Sequence, residues 1–215
     1  LTFIVLRCNM EVEWAAVAAA AALFIMGATS PGPSLAVVVR NTIIGGRSRG
    51  ISCALGHGLG FGFYAVAAVF GLVVIMETNP SLFTILQLIG VVVLIWMGIG
   101  LLRAKSETYE ILDSKRDGFF EGFFIAFFNP KIAVFMLAVL ASVLEPGMAE
   151  GTKWVLAILG MSIDAVWYVI VAVALTTGGI LEKMKQKQVL FHQITGATML
   201  ALAIWVIIKQ SQDYF

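Results

Sequence analysis

The sequence predicts an all-α integral membrane protein. Six transmembrane helices form two inverted three-helix repeats, with helices 1 and 4 broken by proline. Four observations predict this. The 215 residues are 60% hydrophobic and only 13% charged, whereas a soluble domain carries about a quarter charged residues. The apolar residues also come in bilayer-length runs. Basic residues gather in alternate loops. Finally, two apolar segments are interrupted at matching places, by Ser30-Pro31-Gly32-Pro33 and by Asn129-Pro130-Lys131.

Residues 1–13 read as a short N-terminal segment. A natural start stands at Met10, so residues 1–9 are upstream translation or a short leader. The run from Ala15 to Ala22 is not a signal-peptide cleavage region: Glu11 and Glu13 precede it in place of basic residues, and the apolar run continues beyond it. Residues 14–215 form a single six-helix domain, with repeat one over about 14–103 and repeat two over about 119–209. The spans are 14–40, 51–76, 81–102, 119–144, 152–177 and 189–208. Each reaches or nears the roughly 20 residues that a crossing needs. The first is too long for one straight crossing, and a break at Pro31–Pro33 relieves that.

The loops give orientation. Loop one holds Arg40, Arg47 and Arg49, loop three Arg103, Lys105, Lys115 and Arg116, and loop five Lys183, Lys185 and Lys187. Loops two and four hold only Lys153 between them. Basic residues mark the cytoplasmic side, so the odd loops lie inside and both termini outside. Trp14, Trp154, Trp205 and Tyr214 fall near span ends, where interface aromatics belong.

Two short internal matches occur in the same order. Gln87-Leu88-Ile89-Gly90 parallels Gln193-Ile194-Thr195-Gly196, and each glycine is thirteen residues from a basic residue, Arg103 or Lys209. Pro33-Ser34-Leu35-Ala36-Val37 parallels Pro130-Lys131-Ile132-Ala133-Val134. With three spans per repeat, the second is inverted relative to the first. Paired broken helices in two such halves point to a transporter's binding site.

The breaks carry chemistry of their own. Proline lacks an N–H and clashes with the preceding turn, so each break frees backbone groups that lipid cannot satisfy. Asn129 is a good N-cap and Pro130 suits the first helical position. Ser30 or Gly32 can cap the half-helix begun by Pro33. Exposed N–H groups at such starts carry partial positive charge and suit a carboxylate, while freed carbonyls suit an ammonium. A zwitterion fits both.

Lys131 and Asp164 each lie about twelve residues into a span, roughly 18 Å from one face. A charge at that depth costs at least about 2.5–3.5 kcal/mol to insert, so it faces a cavity or a partner. Three readings stand open. Asp164 receives an ammonium or a proton while Lys131 pairs with it or attracts a carboxylate; the two form a purely structural ion pair; or Lys131 snorkels to an interface. Gly56-His57-Gly58-Leu59-Gly60-Phe61-Gly62 opens span two, and glycines four apart let a broken neighbour approach closely. His57 is either structural or, with Asp164, a proton relay; His192 and Gln193 stand under the same alternatives.

The chain also excludes several classes. Net charge of +1 gives no electrostatic case for nucleic acid. Cys8 and Cys53 are the two cysteines, and neither adjoins a break, as a thiol-redox carrier would need. A divalent-metal site wants several intramembrane carboxylates or histidines, so a single intramembrane acid counts against a metal-ion exporter and leaves it only as the alternative. No GxSxG or HExxH motif marks a hydrolase, and no enzyme activity or cofactor is expected.

The run Ser30-Pro31-Gly32-Pro33, Gly46-Arg47-Ser48-Arg49-Gly50 and Gly56-His57-Gly58, followed by Phe119, Gly122-Phe123, Asn129-Pro130-Lys131 and Asp164 with Trp167-Tyr168, resembles the lysine exporter family, which includes the homoserine and threonine efflux proteins. The resemblance covers roughly residues 12–209. It implies proton-driven export of an amino acid or similar small zwitterion across a bacterial or archaeal inner membrane by alternating access, in a small oligomer such as a homodimer. The substrate would sit among Ser30, Pro31, Gly32, Pro33, Asn129, Pro130, Lys131 and Asp164, with Asp164 and His57 coupling protons. The alternative is export of a metal ion or other small solute on the same scaffold.

Overall fold

Three prolines open helices: Pro33, Pro80 and Pro130. The computed structural model describes residues 12–30, 32–103, 117–177 and 180–212. Seven helices make up this part: α1 Trp14–Thr29, α2 Pro33–Thr78, α3 Pro80–Arg103, α4 Gly118–Phe127, α5 Pro130–Val143, α6 Glu150–Leu175 and α7 Ile180–Gln212. No strand occurs among the described residues. Ser30 (ψ 124°), Gly32 (ψ −168°) and Asn129 (ψ 108°) each precede a proline and each leave the helical region, because the proline ring clashes with a helical residue before it. Asn79, before Pro80, ends α2 in the same way. Pro31 itself lies outside the described residues, as do residues 1–9 with Cys8, Met10, loop-three Lys105, Lys115 and Arg116, and Tyr214.

The expected first loop is corrected to a turn centred on one residue. Gly46 (φ 69°, ψ −171°) breaks α2 between helical stretches 33–45 and 47–78. Only glycine adopts such a positive φ without strain, and a Cβ there would meet open space. Arg40, Arg47 and Arg49 are therefore helical residues on either side of a sharp turn. Loop five is corrected too: Lys183, Lys185 and Lys187 fall within α7, since lysine is a good helix former and the helix outruns its apolar stretch.

Three helices, α2, α3 and α6, carry a window long and apolar enough to cross a membrane. Helices α4 and α5 pass the same test only as a pair, bent by 57°. Shorter apolar helical stretches cover Trp14–Thr29 and His192–Ile208. The outer surface carries large apolar side chains, such as Trp96 at 74% exposure and Val92 at 64%, as a lipid-facing surface does. Inside, Phe24, Leu94, Met136, Leu140 and Leu156 are fully buried.

The glycine run in α2 packs two helices on two sides. A Cβ on Gly56 would overlap the Phe119 carbonyl of α4, and one on Gly60 would stand 2.6 Å from the Phe123 oxygen. Gly118 and Gly122 answer from α4, against Arg49 and Cys53 backbone oxygens. Gly58 and Gly62 face α6 instead, against Ala165 and Met161. The alternation follows from the 100° helical step: positions four apart share a face, and positions two apart lie on opposite faces. His57 and Phe61, between the two faces, are left pointing inward, and Leu59 and Phe63 outward.

Candidate functional site

Two helix starts and two intramembrane charges meet at one cavity of about 30 Å³. Its lining includes Ser30, Gly32, Pro33, Ser34, Asn129, Lys131, Asp164 and His57. Of the residues that the sequence singles out as a binding site, all but Pro31 and Pro130 therefore line one space. Pro31 lies outside the described residues, and Pro130 enters as the first residue of α5. The cavity has room for a water or so, far below the roughly 300 Å³ at which usual ligand pockets begin.

The second break is built locally. Asn129 Oδ1 accepts the Lys131 N–H at 3.0 Å, and the Asn129 carbonyl accepts from Ile132 and Ala133. That is the N-cap arrangement, with proline at the first helical position. The Asn129 amide also donates to Ser34 Oγ at 3.2 Å, tying the two helix starts together. At the first break Gly32 is the cap, with no side chain to offer; its carbonyl accepts from Ala36 at 3.1 Å. Ser30 does not cap this start. It accepts a hydrogen bond from the Lys131 ammonium instead.

Asp164, on α6, is 3% exposed and pairs with His57, which is fully buried on α2; Nδ1 and Oδ2 lie 2.6 Å apart. Tyr168, one turn beyond Asp164, meets the imidazole edge-on with ring centroids 4.7 Å apart. The second imidazole nitrogen, Nε2, is buried without a hydrogen-bond partner among the described residues. Of the readings open for Lys131, the structure shows a side chain crossing to Ser30, at the end of α1, with Asp164 engaged by histidine. No group of three His, Cys, Asp or Glu side chains that could hold a metal occurs among the described residues. His192 is buried in α7 and Gln193 is exposed; neither lines this cavity.

A second polar cluster, unforeseen from the sequence, lies toward the Gly46 turn. Arg40 forms an ion pair with Glu121 of α4. Asn41, fully buried, donates to Glu121 Oε2 at 2.9 Å and accepts from Arg49 Nε at 2.8 Å. The cluster thus joins both halves of α2 to α4. Glu121 could have been noticed as a lone acid in the aromatic run of α4; nothing local marks its partner.

A larger cleft of about 660 Å³ is lined in part by Thr84, Gln87, Ser142 and Glu145. It holds none of the expected site residues. The small cavity is the stronger candidate, because the helix starts and the buried charges converge there.

The LysE type translocator family matches residues 25–210 of the chain. An uncharacterized membrane protein of Escherichia coli (strain K12) is 24% identical over 194 residues, covering 86% of each chain. The threonine efflux protein of Salmonella typhi is 27% identical over 161 residues, 71% of this chain and 78% of that one. The leucine efflux protein of Klebsiella pneumoniae is 25% identical over 141 residues, 54% of this chain and 66% of that one. No solved structure matches the chain.

Proposed function

The chain belongs to the LysE type translocator family, and from that premise we propose that it is a secondary transporter exporting an amino acid or similar small zwitterion from the cytoplasm. One observation carries the reading: a cation with two helix starts and a histidine-held carboxylate line the same cavity. Lys131 and the amides at the start of α2 suit a carboxylate, the first amides of α5 being taken by Asn129. Asp164 suits an ammonium. The similarity to threonine and leucine efflux proteins supports an amino acid as cargo.

In this reading the helical stretches make six spans: α1 with 33–45, then 47–78, α3, α4 with α5, α6, and α7. Their three-and-three order is that of inverted repeats, with odd loops inside and both termini outside a bacterial inner membrane. The small cavity is then an occluded stage of alternating access, and rocking of one repeat against the other opens it to each side. A homodimer belongs to the same reading.

Proton coupling follows from competition at Asp164. An arriving ammonium must displace His57 or its proton, and a returning proton restores the pair. The cargo's ammonium and a proton held between His57 and Asp164 compete for one carboxylate charge, so binding of either weakens the other, which favours alternation of export and proton uptake.

The test uses purified protein in vesicles under an imposed pH gradient, with a broad panel of labelled amino acids. Each is paired with its carboxyl amide, which lacks the anion. Gradient-driven movement of at least one amino acid, and poor movement of its amide, is the expected result. No movement across the whole panel would sink the proposal.

A further inference from the structure

Helices α1 and α5 meet at two places, one turn apart on each. The polar contact joins Ser30 to Lys131. The apolar one sets the Phe135 ring over Gly27, where a Cβ would overlap the ring. Gly27 precedes Ser30 by three residues and Phe135 follows Lys131 by four. The two contacts therefore stack about 5.4 Å apart on antiparallel helices. All four residues line the cavity.

That stacking matters for a bound zwitterion. Its carboxylate, amine and side chain diverge from one α-carbon. A zwitterion held with its carboxylate at Lys131 and its amine at Asp164 would have Phe135, one turn along α5 from Lys131, as an apolar neighbour for its side chain. The cavity wall there is apolar: Phe135 is 6% exposed, and Met199 of α7, at 4%, lines the same space. Lys131 and Asp164 already have a use and His57 is engaged by Asp164, so no further charged residue in the lining is left for a charged side chain.

We propose that Phe135, seated on Gly27, sets the upper size limit for the side chain of the exported amino acid, which is neutral and of small to middling bulk. Gly27 is the complementary half of the device: its missing Cβ lets the ring lie back against α1. This inference rests on the export reading above, but concerns which amino acids pass, not whether any do.

The experiment compares wild type with Phe135→Ala, Phe135→Leu and Gly27→Ala in vesicles, using alanine, threonine, leucine and phenylalanine. The readout is the ratio of large to small substrates moved, which does not depend on how much protein folds. Phe135→Ala is expected to raise the ratio at least about tenfold, the lower end of what one methylene is worth in an apolar pocket. Phe135→Leu should be intermediate and carries the test if the alanine variant does not fold. Gly27→Ala, pushing the ring into the cavity, should lower the ratio. An active wild type whose ratio is unchanged in the variants overturns this inference alone. A wild type that moves no amino acid overturns the export reading and this one with it.

Discussion

His57 Nδ1 lies 2.6 Å from Asp164 Oδ2, joining α2 to α6 across 107 residues of chain in a fully buried setting. A pair so placed holds two helices together and also occupies the carboxylate proposed to receive the ammonium of a zwitterionic cargo. We predict that Asp164→Asn, which keeps the shape and removes the charge, lowers gradient-driven export at least about tenfold, a loss of roughly 1.4 kcal/mol or more in the transition state. Asp164→Glu should retain part of the activity. The measurement is initial efflux rate in vesicles with and without a pH gradient. A wild-type rate from Asp164→Asn would remove this residue from the mechanism.

The glycine faces of α2 predict a stability pattern. Gly56→Ala and Gly122→Ala each drive a methyl into a facing backbone carbonyl, and should destabilise by about 1–3 kcal/mol, the usual effect of overpacking. Gly71→Ala and Gly100→Ala meet open space and should be neutral or stabilising, since alanine favours helix by about 1 kcal/mol. Thermal unfolding in detergent reads both. Equal effects at all four positions would count against close approach of α4 to α2.

Arg40 and Glu121 hold the half-helix 33–45 to α4. Their side chains are 18% and 14% exposed, between a surface pair and a buried one. A double-mutant cycle with Arg40→Gln and Glu121→Gln should give a coupling of about 1–3 kcal/mol. Additive effects, within about 0.5 kcal/mol, would show that the contact contributes nothing.

The basic residues around Gly46 predict sidedness. In a background carrying Cys8→Ser and Cys53→Ala, Ser48→Cys should resist a membrane-impermeant thiol reagent added outside cells. Asn79→Cys and Pro146→Cys should react within minutes. All three positions are exposed. Labelling of Ser48→Cys from outside would reverse the topology.

The helix junctions were legible because proline acts on its immediate neighbour: Ser30, Gly32 and Asn129 leave the helix for reasons that need no tertiary structure. The cap at Asn129 was legible for the same reason. What escaped depends on contacts distant in sequence. Arg40, Arg47 and Arg49 read as a solvated loop, yet Arg40 and Arg49 are held by Glu121 and Asn41, and a single glycine makes the turn. His57 read as either structural or a proton relay with Asp164, but direct contact of the two was not legible, because it depends on how α6 seats on Gly58 and Gly62. Phe135 was invisible as a site residue: one phenylalanine among fifteen gives no sign that it lies over a glycine of another helix.

The cavity of about 30 Å³ has a pharmacological consequence. An antagonist drawn to fit this conformation would be no larger than a solvent molecule or two, so shape-matching against it is the wrong search. Under the alternating-access proposal, inhibitors would have to be selected against a form in which α1 has parted from α5, and would act as wedges that keep the Ser30–Lys131 contact from closing again.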